Sequence, residues 1–424
     1  MYLTDEQQAI LNGSKGETMA KVMKTLVMYG ETFCADKMVP VTSEYNHLVT
    51  SFGLKMMKPV FQLMQQLIDA GAISSQKFSV DPRPVDKNVP ANFLQNFIFN
   101  NIMYATQESY EGQLQELGLM NEDAFTCACY LDQVGNKPKK GDVLSWAESS
   151  AVVYANSVLG ARCNRNSGIM DIMGSIAGYV PNFGLLTDEG RKATWIVKIE
   201  TTKKPEAQLL GSAIGMKVME DVPYITGLSK WLGEDLNDEA CAYLKDFGAA
   251  TASNGAVGLY HVANLTPEAV ELGESLIADG AKEFTITDAV LEETQANYPV
   301  MWKNPDAQPK LCFVGCPHMS LQQLKDWTVA VEKGLKAAGN KKVLIPTVFT
   351  TAPAVKKEFE QTEYAARLKA TGVILSYICP LMYMNNPLCT SMPVMTSSNK
   401  RRTYTTARYY TEDEILAKIT RGGC

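Results

Sequence analysis

An α/β fold built on parallel sheets is predicted for this 424-residue chain by two observations. From about residue 308 onward, strand-like and helix-like runs alternate, as they do when a parallel sheet is joined by helical crossovers. The composition, 46% hydrophobic and 20% charged, is ordinary globular usage, and the length suffices to bury a large core in roughly two or three domains. The divisions read as a helix-rich part over 1–120, a central α/β part over 121–305 and a C-terminal α/β part over 306–424. No Pro- or Ser-rich linker marks a sharp boundary between them.

The elements follow in order. Thr4-Asp5-Glu6-Gln7 is a capping box that opens a short helix, which Gly13 and Gly16 break. Met19, Val22, Met23 and Leu26 recur at helical spacing and predict an amphipathic helix stopping near Gly30; Phe61, Met64, Leu67 and Ile68 predict another. These Met and aromatic stripes are core. The segments 147–161 and 248–258 are rich in Ser, Ala, Gly and Asn, which permits close backbone approach to another element or to a ligand. Lys310 to Val314 is a strand-like run ending at Gly315-Cys316-Pro317-His318. Ser320 then caps a helix with Leu321, Leu324, Trp327, Val331 and Leu335 on one face. Val343-Leu344-Ile345 predicts a strand, Ala354 to Ala370 a helix, and Gly372 to Leu375 a further strand ending at Cys379-Pro380. Thr411 to Glu414 caps a final helix.

Charge and composition exclude several functions. Against 46 Asp and Glu stand 40 Lys and Arg, and only Lys400-Arg401-Arg402 forms a compact basic run, readable as a solvated loop rather than a nucleic-acid surface. No apolar stretch reaches the about 18 residues of a membrane span. The start, Met1 to Glu6, is acidic and predicts no leader. Ten Cys against three His leave a thiolate site open and argue against a His-rich metal site, in what is expected to be a reducing cytoplasm.

Ligands gather at the carboxyl ends of parallel strands, where Cys316 and Cys379 both fall, each followed by Pro. Cys127, in Thr126-Cys127-Ala128-Cys129, is a third candidate. Three thiolates from distant loops suit an iron–sulfur cluster with one iron left open, a Lewis acid for a substrate hydroxyl. Buried structural thiols, a redox pair, or a Cys316 nucleophile oriented by His318 are the competing readings. Nearby, Glu148 suits general acid–base work or acceptance at the cluster's edge, and Arg162 and Arg165 suit carboxylate or phosphate. Thr396 to Lys400 offers hydroxyls and a cation.

Taken together, Trp146 to Ser150, Asn156 to Arg165, Cys316-Pro317-His318 and Cys379-Pro380 through Lys400 resemble the large, catalytic subunit of the aconitase X family. The resemblance spans nearly the whole chain, from Leu3-Thr4-Asp5-Glu6 through Pro181 to Gly184, Ser253 to Val257 and Leu265 to Ala269. It implies an aconitase-like arrangement of several parallel-sheet α/β subdomains around a central cluster site. It also implies a hydro-lyase reaction such as dehydration of cis-3-hydroxy-L-proline or mevalonate 5-phosphate. On that resemblance Cys127, Cys316 and Cys379 hold an iron–sulfur cluster (4Fe-4S or 2Fe-2S) or iron. Glu148, Ser149 and His318 are the expected catalytic groups. Ser43, Asn156, Arg162, Asn164, Arg165, Ser253, Ser398 and Lys400 are expected to bind substrate.

The family's small swivelling domain is thought to supply a catalytic serine. With about two dozen residues after Lys400, a separate small subunit of roughly a hundred residues or more is expected here. Ser43-Glu44-Tyr45 stands where many relatives read Ser-Ala-His, Asn166-Ser167-Gly168 replaces a Glu-Gly-Gly type, and Ser397-Ser398 replaces Asn-Ser. These departures lie in loops expected to face substrate, and they leave a non-catalytic cluster scaffold or sensor as the alternative.

Overall fold

The structure, a computed structural model, describes residues 1–422. The N-terminal part is helical around one apolar core, with four short strands at its edges. The helix Asp5–Leu11 carries the reciprocal Thr4/Gln7 capping box. The helix Glu17–Thr32 presents Val22, Met23 and Leu26 to a core shared with Met64, Leu67, Phe78 and Leu114. It runs two residues past the expected stop, because Gly30 is a packing glycine; a Cβ there would meet the Pro181 side chain at 2.6 Å. Strands β1 (Met38–Pro40) and β4 (Tyr179–Pro181) pair antiparallel, while β2 (Asn46–Leu48) and β3 (Phe78–Val80) pair parallel.

A second unit is a four-stranded parallel sheet in the order β7-β6-β5-β8, from β5 (Ala193–Ile199), β6 (Pro223–Thr226), β7 (His261–Val262) and β8 (Ile277–Ile286). Two helices, Ala207–Val218 and Asp238–Gly255, pack tightly beside it. A Cβ on Gly255 would lie 1.9 Å from the Gly215 carbonyl oxygen, so only glycine permits this approach. Small residues here serve packing. The other small-residue segment forms the helix Ser149–Ser157, buried almost throughout.

The third unit is a five-stranded, all-parallel sheet, β11-β10-β9-β12-β13. Its members are β9 (Leu311–Met319), β10 (Thr347–Thr351), β11 (Ile374–Ser376), β12 (Val394–Thr396) and β13 (Arg408–Tyr409). The Ser320 helix spans Leu321–Ala338 behind a capping box. Two expectations are corrected. Val343 to Ile345 is not a strand, since its amides turn to the Thr371 and Ile419 carbonyls and Leu344 is exposed; the strand begins after Pro346, at Thr347. The single helix expected over 354–370 is two, Pro353–Phe359 and Glu363–Ala370, because the Thr362 hydroxyl bends back to the Phe359 carbonyl.

Candidate active site

The feature that shapes the site is a break in β9. Gly315 adopts φ +102°, and a Cβ would stand 2.3 Å from the Thr350 carbonyl oxygen. The register against β10 shifts between Phe349 and Thr351. Such a bulge re-aims the following side chain, and that residue is Cys316. The strand was expected to end here; instead it carries Cys316-Pro317-His318 on to Met319.

His318 ties three segments together. Its amide donates to the Cys127 sulfur at 3.4 Å, its Nδ1 meets Thr126 Oγ1 at 2.9 Å, and its Nε2 meets the Ile378 carbonyl at 3.2 Å. A carbonyl only accepts, so Nε2 carries the proton and Nδ1 accepts from Thr126. Burial lowers the ring to about 4, which keeps it neutral. Expected from sequence as a catalytic group, His318 has both nitrogens engaged and its side chain fully buried, where it bridges the segments that carry Cys127 and Cys379.

Cys316 lies close enough to both Cys127 and Cys379 for its charge to act on each. Burial pushes each up, Cys379 to about 12, and Cys316 adds to the rise at both Cys127 and Cys379. Among the described residues no three His, Cys, Asp or Glu side chains lie close enough together to hold a metal ion. A cluster, in which each thiolate binds its own iron, separates its ligands more widely than one ion does. Cys316 is further fixed by Gln208, which donates from Nε2 to the Cys316 carbonyl at 3.3 Å and accepts from the Asn399 amide at 2.9 Å.

Above the thiols stands a buried ion pair. Lys400 enters on the short helix Asn399–Tyr404, which Ser398 caps by accepting from the Arg401 amide. Its ammonium donates to Glu148, to Ser150 Oγ at 2.7 Å and to Ser149 Oγ at 3.2 Å, so its three protons are committed. Glu148 caps the helix Ser149–Ser157 through the Ala151 amide at 2.8 Å. Burial opposes its ionisation, but Lys400 and that amide outweigh burial and hold the carboxyl below its usual range. Lys400 likewise stays charged, raised by Glu148 and by the Cys316 and Cys127 thiols against the effect of burial. The basic run 400–402 is thus not a solvated loop, because Lys400 and Arg401 are buried.

Of the residues expected from sequence, Cys127, Cys316, Cys379, Glu148, Ser149, Ser398 and Lys400 converge. Arg165 lies near enough to Glu148 to feel its charge and meets no acceptor among the described residues. Four residues expected to bind substrate have their polar atoms partnered within the chain. Asn156 bonds to Cys163, Gly258 and Arg191; Arg162 pairs with Asp188 at the surface; Asn164 holds Phe183 and Leu185. Ser253 donates to its own helix at Ala249. Ser43 is buried, its hydroxyl unpartnered among the described residues.

Sequence reasoning missed Asp81. It is buried, with Oδ2 accepting from the Thr50 amide at 3.1 Å and Oδ1 unpartnered. Burial and the Glu148 charge push its carboxyl well above the usual range, and its charge reaches Cys379. The signal was present, for Phe78-Ser79-Val80-Asp81-Pro82 repeats the buried strand, reactive residue and proline of the two Cys-Pro sites. A cavity of about 1230 Å³ opens away from all these groups, lined by Glu206, Tyr243, Trp327 and Glu412 among others.

Comparison with known proteins places this geometry. The family descriptions Aconitase X first, second and third domain match residues 1–189, 193–296 and 309–415. The phosphomevalonate dehydratase large subunit of Thermococcus kodakarensis is 32% identical over 363 residues, covering 84% of this chain and 82% of that protein. The cis-3-hydroxy-L-proline dehydratase of Pseudomonas aeruginosa is 29% identical over 292 residues, 67% of this chain and 47% of that longer protein. The crystal structure of Thermococcus kodakaraensis aconitase X in its holo form superposes with a TM-score of 0.80 at 27% identity, covering 99% of this chain and 100% of that one.

Proposed function

The chain belongs to the aconitase X family and is a hydro-lyase of hydroxy acids; from that premise we propose that Cys127, Cys316 and Cys379 hold an iron–sulfur group at which water is removed from mevalonate 5-phosphate. The observation that carries this reading is the convergence of three thiols from three distant segments, Cys127 and Cys316 beside one buried ion pair and Cys379 beside Cys316. The donor set fits the group: soft sulfur ligands, a fully buried guanidinium beside them and an Asp81 oxygen without a partner among the described residues. The phosphomevalonate substrate is favoured because relatives so named match this chain and their own length alike, up to 95% and 92% in Methanosarcina mazei. Cis-3-hydroxy-L-proline, the second named substrate, shares the carboxylate and β-hydroxyl.

When bound, an open iron supplies a Lewis acid for the departing hydroxyl. The chain's own residues do the rest of the positioning. Arg165, a half-buried guanidinium without an acceptor among the described residues, receives carboxylate or phosphate. Ser149, half-buried at the start of its helix, accepts from Lys400 and so turns its hydroxyl proton outward to a substrate oxygen. Lys400 and Glu148 fix that hydroxyl and its Ser150 neighbour rather than exchanging protons themselves. Elimination then passes the α-proton to a base as the C=C bond forms and the C–O bond breaks, and the departing hydroxide is protonated, overall by the proton taken from the α-carbon, to leave as water. We assign the base to a serine of a separate small subunit, consistent with the "large subunit" in the relatives' name.

Anaerobic co-expression with the small subunit tests the proposal. Turnover of mevalonate 5-phosphate supports it. Turnover of cis-3-hydroxy-L-proline alone reassigns the substrate, and turnover of neither by an iron-loaded complex returns the chain to the scaffold reading.

A further inference from the structure

Two arginines of this chain are almost completely buried, and they are treated in opposite ways. Arg191, 1% exposed, donates to Glu268 from Nε and Nη2 and to Asn156 and the Leu185 carbonyl from its remaining protons. Arg401, 0% exposed, meets no hydrogen-bond acceptor at Nε, Nη1 or Nη2 among the described residues. Its guanidinium lies 4.0 Å over the ring of Phe313, a residue of β9 between Cys312 and Cys316. Around it, the groups whose charge it feels most are the thiols of Cys316, Cys312 and Cys379, in that order. Burial lowers the guanidinium to about 10, so it remains a cation at neutral pH.

A desolvated cation without a partner is costly, and an aromatic face offsets only part of that cost. Among the described residues no carboxylate pairs with it. The groups placed to supply negative charge are the thiols of Cys316, Cys312 and Cys379; of these, Cys316 and Cys379 are the proposed iron ligands, and they ligate iron as thiolates. We propose that Arg401 is the buried counter-cation of the metal-binding thiolates, a positioning residue that offsets the charge of Cys316 and Cys379 when the iron–sulfur group is held. The inference rests on the proposed cluster at these cysteines. It assigns a role to a residue that looks from sequence like part of a solvated basic run.

The consequence is a reversal of sign between two states of the same protein. With the thiols protonated, Arg401 is a liability, and Arg401→Met leaves the apo chain at least as resistant to urea as the wild type. With the cluster held, the same substitution removes the counter-charge and releases iron to a chelator faster, by about 10- to 100-fold, the range typical for residues that support metal ligands. Arg401→Lys keeps the charge and falls between. The experiment is anaerobic reconstitution of wild type, Arg401→Met and Arg401→Lys, with iron and sulfide content, chelator release rate and urea midpoint read on each. Equal release rates in an iron-loaded wild type and Arg401→Met overturn the inference while the cluster stands. An apo Arg401→Met chain that is less stable than the wild type, or does not fold, overturns it too, because it shows the guanidinium to be structural. A wild type that takes up no iron defeats the cluster proposal itself.

Discussion

Two regions of this molecule bury charge, and the contrast between them separates scaffold from site. Where the first and second units meet, Arg191, Glu268 and Asn156 form a closed knot, in which every guanidinium proton has an acceptor and both Glu268 oxygens are used. Beneath the strand ends of the third unit, the burial is left open. Lys400 and Glu148 are paired, but Arg401 and Asp81 Oδ1 have no partner among the described residues, and the Cys316 and Cys379 thiols lie near both. Polar burial that closes on itself stabilises a fold. Burial left open beside soft ligands is what a bound group completes.

The first way to break this comparison is Arg191→Met. It strands Glu268 in a buried position, for which the expected loss is about 3–5 kcal/mol of stability by urea unfolding. Iron uptake by the fraction that remains folded should be unchanged. A loss below about 1 kcal/mol would mean that the closed knot contributes little beyond surface pairs.

Next in size is Lys400→Met. It frees Ser149 and leaves Glu148 without its cation, and kcat/KM should fall about 100- to 1000-fold, the cost typical of removing a preorganised donor. The fall in bound iron should be much smaller than the fall in turnover. Equal falls would make Lys400 a prop for the thiols rather than for the substrate hydroxyls.

A third, smaller effect lies between the two extremes, in a carboxyl that has donors but no cation. Glu206 accepts from the Tyr409 hydroxyl at 2.5 Å and the Leu209 amide at 2.7 Å, and burial raises it to about 8 from 4.5. The folded protein therefore keeps a proton that the unfolded chain releases. The stability this contributes is fully present below about pH 4.5 and is lost as pH rises through about 8. Glu206→Gln should flatten the fall of Tm across that window. A slope identical to the wild type would assign the proton to another group.

Much of the third unit was legible in sequence, because strand, cap and amphipathic helix leave local signals: Ser320 before Leu321 to Leu335 is read directly. Cys316 and Cys379 were legible as residues that follow a strand-like run and precede a proline, although β9 continues through Cys316 and β11 ends before Cys379. Cys127, in a bend outside any strand, was a weaker candidate on sequence, and the family resemblance was the main ground for choosing it. The pairing of Glu148 with Lys400 spans 252 positions, so no spacing could reveal it. Asn156, Arg162, Asn164 and Ser253 were expected to bind substrate on the family resemblance, with Arg162 also because a guanidinium suits anions. Their partners Arg191, Asp188, Phe183 and Ala249 are tertiary or helical facts that satisfy them internally. Arg401 was misread for the opposite reason, since a run of three basic residues looks solvated until the Ser398 cap turns two of them inward.

The central claim is that Cys127, Cys316 and Cys379 act together on one iron–sulfur group. Its most direct test is the iron and acid-labile sulfide content of the chain after anaerobic reconstitution, in wild type, in each of the three Cys→Ser variants and in Cys163→Ser. Cys163 is the control, a buried thiol whose sulfur already bonds to the Trp146 carbonyl at 3.5 Å. The account predicts iron with sulfide in wild type and in Cys163→Ser, and a loss of at least about tenfold in affinity at each of the other three. A wild type without sulfide, or a Cys316→Ser variant that holds as much iron and sulfide as Cys163→Ser, would contradict it.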